Sequence, residues 1–367
     1  MQHIKDYLNQ KFYERQEQID AILTSLLARQ HCILIGPPGT AKSQVVREIC
    51  NIIDGATYFQ WLLTKFTTPE ELFGPYSLQE LEKGNYKRIT SGKLPEAHIV
   101  FLDEVFKASS AILNTLLTAM QERIFFNDSQ TIQMPLISLF GASNELPQGE
   151  ELGALYDRFL VRLQVNYISD DSAFASLLTA PPPNNPPNNP PKITLQELQD
   201  LQAQADSLPI PDTIIESIIK IRRELNKEGI IASDRRWKQS LDVLKAYAFL
   251  DQKPEVDEET LMFLQNCLWS SPEQRKTIVK VLGSVAAPHE AKAVELYDMA
   301  TEIYQEVINL DEGKEAAGIE ANKKIKNILD HLSDLAHKHK SQKIQDIFQK
   351  VQVYQKEIIK VCLGVEI

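Results

Sequence analysis

The sequence has 367 residues, of which 43% are hydrophobic and 24% charged, and its formal net charge is −11. This length suits two or three domains, and no apolar run approaches the roughly 20 residues that cross a membrane, so membrane insertion is not expected. The acidic balance argues against a protein that works mainly by coating nucleic acid. The polar N-terminus lacks the apolar core of a signal peptide, and we therefore expect a cytoplasmic globular protein.

The first forty residues have the pattern of a helix, a strand and a loop. Residues 1–29 carry apolar side chains at helical spacing and predict a helix. The next run, HCILIG (31–36), is too short for a helix and ends at a glycine and two prolines, which is typical of a buried parallel strand. A helical stripe of apolar residues begins after Lys42. This is the context that a phosphate-binding loop requires.

The loop GPPGTAKS (36–43) departs from the usual pattern Gly-x-x-x-x-Gly-Lys-[Ser/Thr] because Ala41 precedes the lysine. We expect the backbone N–H groups from Gly39 to Ser43 to bind phosphate oxygens, Lys42 to bridge the β- and γ-phosphates, and the Ser43 hydroxyl to bind Mg²⁺. Since positive φ strains a residue other than glycine, we predict negative φ for Ala41, within the first helical turn. An ordinary strand–turn–helix connection would explain the turn but not the Lys-Ser pair.

A second apolar run, HIVFLDE (98–104), predicts a buried strand that ends in two carboxylates. Ligands of open α/β sheets bind at the carboxyl ends of the strands, where Asp103 can hold Mg²⁺ and Glu104 can polarise an attacking water. An aspartate used for turn chemistry is the alternative. The predicted nucleotide-binding residues are therefore Gly36, Pro37, Pro38, Gly39, Thr40, Ala41, Lys42, Ser43 and Asp103, with Ser43 and Asp103 as the metal ligands.

Three more elements complete the predicted core. Residues 108–123 predict a helix, and IFFNDSQTIQMP (124–135) predicts a hairpin around an Asn-Asp turn. LISLFGASN (136–144) predicts a third strand ending at Asn144, whose amide can orient the attacking water or simply form a turn. Strands that alternate with helices predict a parallel sheet with helices on both faces.

These motifs, followed by ALYDRFLVR (154–162), resemble the AAA+ ATPases, and specifically their MoxR group. Residues 68–123, from TPEELF to TAMQER, are similar to the RavA branch of that group, as are SDRRWKQSLDVLKAYAF (233–249) and CLWSSPEQ (267–274). The resemblance covers residues 1 to about 275 densely and the remaining helices more loosely.

The resemblance implies an α/β AAA+ core, in which helices flank a parallel sheet that carries the P-loop, with an α-helical lid and a C-terminal helical bundle. The tract APPPNNPPNNPPK (180–192) can neither form a core nor continue a helix and predicts a linker. The expected domains are an αβα nucleotide-binding core over 1–179, this linker, a helical lid over 193–271 and an antiparallel bundle over 272–367.

The resemblance also implies a ring of identical subunits, usually a hexamer, with Mg-ATP at each interface. Arg158 matches the finger that reaches a neighbour's γ-phosphate, and Arg162, one helical turn further, is the reserve candidate. A local ion pair with Asp157 or a cation at the end of a helix is the alternative for Arg158. Arg235 matches the second sensor, which reaches ATP from the lid, with Arg236 as the other candidate. The predicted catalytic residues are Glu104, Asn144, Arg158 and Arg235.

Residues 66–95 look like the family's insertion within the second core helix. ELEKGNYKRITSGKL (80–94) is expected to form a hairpin that projects toward the pore of the ring. Tyr86, Lys87 and Arg88 would contact a client there, although a solvated hairpin tip is an equal alternative.

The first functional hypothesis is an Mg-ATP-hydrolysing, chaperone-type motor that remodels or activates a protein partner. By resemblance, this partner carries a von Willebrand factor A domain, and the C-terminal helices form an arm for it. The second hypothesis is a DNA-translocating ATPase related to the MCM helicases, which share the Ala-Lys-Ser loop and the inserted hairpins. The acidic balance and the lack of zinc-ligand spacing argue against it. The third is a nucleotide-gated scaffold with little turnover.

Overall fold

The computed structural model describes residues 1–179, 190–309, 314–339 and 342–363. Residues 1–215 with 230–275 form one compact unit, and residues 216–229 with 276–367 form a second. Residues 180–189 of the predicted linker lie outside the described residues. Among the helices described, none is both long enough and apolar enough to cross a membrane.

Five parallel strands form the central sheet of the first unit, in the order β3-β4-β7-β1-β8. Two smaller pairs accompany it: β2 with β9, which is parallel, and β5 with β6, which is the predicted antiparallel hairpin. The described strands are β1 (Cys32–Ile35), β2 (Ile53–Asp54), β3 (Tyr58–Leu62), β4 (Ile99–Asp103), β5 (Ile124–Asn127), β6 (Gln130–Gln133), β7 (Ser138–Ser143), β8 (Val161–Gln164) and β9 (Ile193–Thr194).

Helices flank this sheet in the first unit, and the structure describes further helices in the second. In chain order they are α1 (Gln2–Lys11), α2 (Gln16–Leu27), α3 (Lys42–Ile52), α4 (Pro69–Phe73), α5 (Leu78–Leu81), α6 (Ser110–Glu122), α7 (Glu150–Arg158), α8 (Asp171–Thr179), α9 (Leu195–Asp206), α10 (Asp212–Lys227), α11 (Asp234–Leu250), α12 (Gln274–Ala286), α13 (Pro288–Ile308), α14 (Lys314–His339) and α15 (Gln342–Leu363). Turns of 3₁₀ helix lie at Leu94–Glu96, Val105–Lys107 and Thr260–Asn266.

Burial explains the order of the strands. Every residue of β1 and β7 is buried, as the apolar runs predict, and both strands lie inside the sheet. The edge strand β3 is buried only at Phe59. The parallel register places Ile35 opposite Ser143, and Leu62 opposite Asp103. The carboxyl ends of the strands therefore lie together along one edge of the sheet, across the strand ends and not along β3. The predicted α/β fold class is confirmed.

The predicted single N-terminal helix is wrong, because the chain forms two helices there. α1 ends at Lys11 and α2 begins at Gln16. Glu14 in the intervening turn has φ 53°, which an α-helix does not admit. The apolar periodicity continues across the break and therefore hides it.

The predicted hairpin over residues 80–94 is also wrong. Ser77 caps the short helix α5 by accepting a hydrogen bond from the Glu80 N–H at 3.4 Å, and Gly84 then turns the chain with φ 81°. A single antiparallel bridge, between Tyr76 and Arg88, closes this loop. Local capping therefore replaces the strand pairing that the turn residues suggested.

The helices α13, α14 and α15 pack around an apolar core of their own. Ile303 and Val307, near the end of α13, share a cleft with Ala317 and Ala321, near the start of α14, so these two helices are antiparallel. This agrees with the predicted C-terminal bundle. The buried core side chains are Ala293, Leu296, Ala300, Val307, Ala321, Ile325, Ile328, Leu329, Leu332, Ile344, Ile347, Val351, Ile358 and Cys362.

A buried histidine joins β1 to its neighbours and makes the first unit sensitive to acid. His31 Nδ1 accepts from the Leu139 N–H at 2.9 Å, and its Nε2 lies 2.8 Å from the carbonyl oxygen of Met120, to which it donates. Burial lowers the pKa of His31 to about 4, from 6.5 in the unfolded chain. The unfolded chain therefore binds the additional proton as the pH falls from 6.5 to 4. Stability is full above pH 6.5 and is lost through that interval.

We expect the free energy of unfolding to fall by about 2–3 kcal/mol between pH 7 and pH 4 through His31 alone. Urea unfolding followed by tryptophan fluorescence measures this loss in the first unit, because all three tryptophans lie there: Trp61, Trp237 and Trp269. His31→Gln should flatten the pH dependence, whereas the exposed His3→Gln should leave it unchanged. An unaltered slope in His31→Gln would contradict the assignment.

Candidate functional site

The end of β1 lies close to the ends of both flanking strands. The Gly36 N–H donates to the carbonyl oxygen of Ser143, at the end of β7, at 2.9 Å. A Cβ at position 36 would lie 1.9 Å from the carbonyl oxygen of Val165, which follows β8. Any side chain would collide there with backbone, so glycine is required for this close approach. The start of the predicted phosphate loop is thereby fixed against both neighbours.

Ala41 adopts the left-handed conformation that the sequence did not predict. Its φ is 61° and its ψ 18°, and it precedes α3 as the N-cap residue. The predicted negative φ within the first helical turn is therefore wrong. The Ala41 carbonyl accepts from the Val45 N–H at 3.1 Å and closes the first turn. Left-handed backbone costs alanine roughly 1–2 kcal/mol, which the surrounding contacts outweigh.

The backbone between Gly39 and Ser43 forms a cradle suited to an anion. In the described part of the chain, the N–H groups of residues 39–43 donate to no backbone carbonyl. They lie at the N-terminus of α3, whose first turn carries no acidic side chain. Unsatisfied N–H groups and the positive end of the helix dipole favour negative charge at this place. The loop therefore fits the phosphates of a nucleotide.

Lys42 places an ammonium group within this loop. Its Nζ donates to three loop oxygens, the carbonyls of Gly36 and Pro37 and the Thr40 hydroxyl, at 2.9, 2.7 and 3.3 Å. Burial lowers the pKa of Lys42, and the charges of Asp103 and Glu104 oppose the shift. The loop cation and the carboxylates at the end of β4 are thus close enough to interact. Ser43 follows in the first turn of α3 and is half-buried.

The two carboxylates lie where β4 ends, as predicted. Glu104 has φ 52°, and its N–H donates to Asp103 Oδ1 at 3.1 Å. The left-handed backbone at Glu104 is a second strained position beside the loop. Lys107 Nζ lies 3.1 Å from Glu104 Oε2, which is otherwise buried without a hydrogen bond. This contact holds the Glu104 side chain in one place.

Asn144 lies at the same edge of the sheet. It directly follows β7, and its neighbour Ser143 accepts the hydrogen bond from Gly36. Asn144 is exposed, so its amide is accessible to solvent. The structure therefore brings together, at one edge, the phosphate loop, Asp103, Glu104 and Asn144.

Arg158 lies at the opposite edge of the sheet, where the strands begin. It ends α7, and β8 begins three residues later with Val161 opposite Cys32, the first residue of β1. The whole length of β1 therefore separates Arg158 from the phosphate loop of its own chain. Its Nη1 donates to the carbonyl oxygen of Ala154 at 2.9 Å and its Nη2 to Gln121 Oε1 at 3.1 Å. Of the two predicted alternatives, the ion pair of Arg158 with Asp157 is not among the ion pairs of the described residues. Arg158 does lie in the last turn of α7, as the other alternative, a helix-end cation, predicts.

Arg235 lies next to Arg158 and away from the phosphate loop. Its guanidinium forms an ion pair with Asp157, while its side chain remains 42% exposed. The charge of Arg235 helps burial to lower the pKa of Arg158, which shows that the two arginines are close. Burial would raise the pKa of Asp157, but Arg236 and Arg235 hold it below its usual value.

Arg236 is a buried residue that joins α11 to the turn before β8. Only 4% of Arg236 is exposed, and Ser233 caps its helix. The guanidinium donates to the backbone carbonyls of Asp157, Phe159, Leu160 and Cys267. It also donates to the carboxylate of Asp157. These contacts use its donors within the chain, so Arg235 is the more available of the pair.

Arg162 does not lie one helical turn beyond Arg158, as predicted, but within β8. It is 3% exposed, and its guanidinium stacks on the Tyr156 ring at 3.8 Å. Its nitrogen atoms donate to the carbonyls of Tyr156, Phe159 and Trp269. A side chain held in this way is unsuited to reach another subunit.

Arg15 contacts the phosphate loop, although no sequence pattern predicts it as a site residue. Arg15 lies in the turn between α1 and α2, and its Nε donates to the carbonyl oxygen of Thr40 at 3.2 Å. In the sequence it is one charged residue in a polar helical segment, with no motif around it. Only the break between the two helices brings it to the loop.

Comparisons with known proteins agree with this geometry. A family model described as the MoxR domain in the MoxR-vWA-beta-propeller ternary systems matches residues 1–203, and an AAA lid domain model matches residues 213–282. The chain is 36% identical over 371 residues to the uncharacterized protein MJ0812 of Methanocaldococcus jannaschii, and the alignment covers 98% of each chain.

Two further proteins resemble this chain over a shorter alignment or at lower sequence identity. The chaperone MoxR1 of Mycobacterium tuberculosis is 26% identical over 161 residues, 43% of this chain and 42% of that one. A crystal structure of a candidate ATPase from Cytophaga hutchinsonii superposes with a TM-score of 0.63 and 19% identity, over 76% of this chain and 92% of that one. The latter similarity bears on the fold alone.

Proposed function

The chain belongs to the MoxR group of AAA+ ATPases, and from this premise we propose that it hydrolyses Mg-ATP to ADP and phosphate in order to remodel or activate a protein partner. The observation that carries the proposal is the arrangement at one edge of the sheet. The N–H groups of residues 39–43 donate to no backbone carbonyl of the described residues, and the Lys42 ammonium interacts with the charges of Asp103 and Glu104 there.

Each side chain at this edge has a role that its position supports. The N–H groups of residues 39–43 and Lys42 would bind the phosphates, and Ser43 and Asp103 would hold Mg²⁺. Bound Mg²⁺ would supply positive charge that neutralises the phosphate oxygens. Glu104, held by Lys107, would accept a proton from the attacking water, and Asn144 would orient that water.

We propose that Arg158 and Arg235 act on the nucleotide of a neighbouring copy. Both lie at the edge of the sheet opposite their own phosphate loop. In cis they are on the wrong side, whereas the exposed Arg235 side chain and the adjacent Arg158 form a cationic surface that a second subunit can meet. A closed ring, which we expect to be a hexamer, pairs this surface with the next phosphate loop at each interface.

The proposed partner is a protein with a von Willebrand factor A domain. The matching family model describes a MoxR domain from ternary systems that contain such a component. The C-terminal bundle of α13, α14 and α15 would be the arm that binds it. The closer likeness to the RavA branch and the cytoplasmic setting stay predictions.

Lys42→Ala tests nucleotide binding directly. We expect the Kd for ADP, measured by calorimetry with Mg²⁺ present, to rise by about 100-fold, because the variant loses the charge-assisted contact to the phosphates. Lys238→Ala, at an exposed position on α11, removes the same charge and should bind ADP as the parental protein does. Equal affinities in all three proteins would contradict the proposed site.

The Glu104→Gln variant with ATP is suited to capture the partner from native lysate, because it should bind ATP without turning it over. Lys42→Ala is the matched control, since it lacks the nucleotide and should retain no specific protein. Nucleotide-dependent retention of a protein with a von Willebrand factor A domain is the expected result. Capture of DNA, with DNA-stimulated and salt-sensitive ATPase activity, would instead support a DNA-translocating motor.

A further inference from the structure

The turn between α1 and α2 supplies a buried cation next to the phosphate loop. Arg15 is 8% exposed. Its Nε donates to the carbonyl oxygen of Thr40 at 3.2 Å, and its Nη1 donates to the carbonyl oxygen of Glu14 at 2.7 Å. The guanidinium is therefore fixed at the loop by two contacts to neutral acceptors.

The charge of Arg15 is not matched by its surroundings. Among the described residues, no carboxylate forms an ion pair with it, and its Nη2 donates to no partner. That nitrogen is not one of the fully buried polar atoms, so it keeps contact with solvent. Burial lowers the pKa of Arg15, although the nearby Glu14 charge opposes the shift. A buried cation without an anion is costly, and an anion bound here would offset that cost.

A second cation lies nearby and adds to this imbalance. The charge of Arg15 is one of the influences that lower the pKa of Lys42. Two like charges beside one loop repel each other until a polyanion lies between them. A nucleoside di- or triphosphate is the class of ligand that satisfies both, since the adjacent N–H cradle already suits its phosphates.

The position of Arg15 is set before any ligand arrives. The Glu14 carboxylate accepts from the Ser169 N–H at 2.8 Å, the Ser169 hydroxyl at 2.6 Å and the Asp170 N–H at 3.1 Å. These three bonds hold Glu14 in its left-handed conformation, φ 53°, and anchor the turn to the segment after β8. Little conformational freedom remains for Arg15 to lose on binding, which favours affinity.

We propose that Arg15 is a further nucleotide-binding residue, whose Nη2 binds a phosphate oxygen of the bound nucleotide while its Nε holds the loop at Thr40. This inference rests on the proposed function, because it concerns the same nucleotide. The N-terminal helices then form one wall of the site in addition to their packing role.

Arg15→Met tests the inference, since methionine keeps an unbranched apolar stem and removes the cation. We expect the Kd for ADP, measured by calorimetry with Mg²⁺ present, to rise at least about tenfold, in line with a lost charge-assisted hydrogen bond. The Tm without nucleotide should be unchanged or higher, because an unpaired buried charge is gone. The rise in Tm on adding ADP should be smaller than in the parental protein.

Arg47→Met is the matched control, because Arg47 is an exposed cation on α3 and should not alter the Kd for ADP. A purely structural Arg15 gives the opposite pattern, a lower Tm without nucleotide and an unchanged Kd, and that result would overturn the inference. If Arg15→Met does not fold, Arg15→Lys replaces it. Lysine keeps the charge but has one nitrogen for two contacts, so the Kd should rise severalfold, and an unchanged Kd would overturn the inference.

The two proposals fail in different ways. If the parental protein binds no ADP, the proposed function is wrong and the role of Arg15 is wrong with it. If the parental protein and Arg15→Met bind ADP equally, only the inference about Arg15 is wrong.

Discussion

Replacing Glu104 with glutamine is expected to lower the kcat of ATP hydrolysis by roughly 10²–10⁴-fold, the range for loss of a general base. Glutamine has nearly the same shape but cannot accept the proton of the attacking water. The binding of ATP should persist, because Lys42 and the N–H groups of residues 39–43 remain. Steady-state phosphate release and a parallel ATP-binding titration measure the two effects.

The left-handed backbone at position 104 should not distort this experiment. Glutamate and glutamine meet the same steric cost at φ 52°, so the substitution leaves the backbone unaffected. Glu122→Gln, at an exposed position on α6, is the control for loss of one carboxylate and should retain the parental rate. Parental turnover in Glu104→Gln would show that another group activates the water.

Arg158→Ala is expected to lower kcat by roughly 10³-fold or more, as loss of an arginine finger does. The Kd for ADP should stay the same, because the proposed finger acts on the γ-phosphate, which ADP lacks. ATPase assays and ADP calorimetry on the purified variant measure the two quantities.

Mixing variants decides whether Arg158 acts in trans. Arg158→Ala keeps an intact phosphate edge, and Glu104→Gln keeps an intact Arg158. Oligomers that contain both should therefore assemble some complete sites and recover activity. A mixture of Lys42→Ala and Glu104→Gln is the control, since both lesions lie at the same edge and no complete site can form. Recovery in neither mixture would argue against the trans role.

The sequence was sufficient to predict the edge of the sheet where the candidate site lies. HCILIG, HIVFLDE and LISLFGASN are apolar without alternation, which identifies strands buried on both faces. Parallel strands end together, so the residues after them were expected to meet, as Gly36 and Ser143 do. The hairpin of β5 and β6 was predictable for a similarly local reason, its Asn-Asp turn between alternating residues.

The parts that could not be predicted depend on contacts between distant segments. The φ of Ala41 follows from how the loop packs, and residue type alone favours the opposite sign. Arg15 reaches Thr40 only because α1 and α2 are separate helices. Arg162 was expected to be accessible, but within β8 its guanidinium stacks on Tyr156 and donates to the carbonyl oxygen of Trp269. Short-range pattern carries no information about such approaches.

The contacts of Arg162 and Arg236 have a consequence for how a ring would transmit information. Together they bind the turn before β8 to Cys267 and Trp269 and to the start of α11. The lid helix α11 is therefore joined, through Arg236, to the residues on both sides of Arg158. In the proposed ring, exchange of ATP for ADP in one subunit would reach the lid of the adjoining subunit through Arg158 and these contacts. The signal would pass around the ring in a single direction, which subunits paired by two-fold, self-complementary interfaces could not achieve.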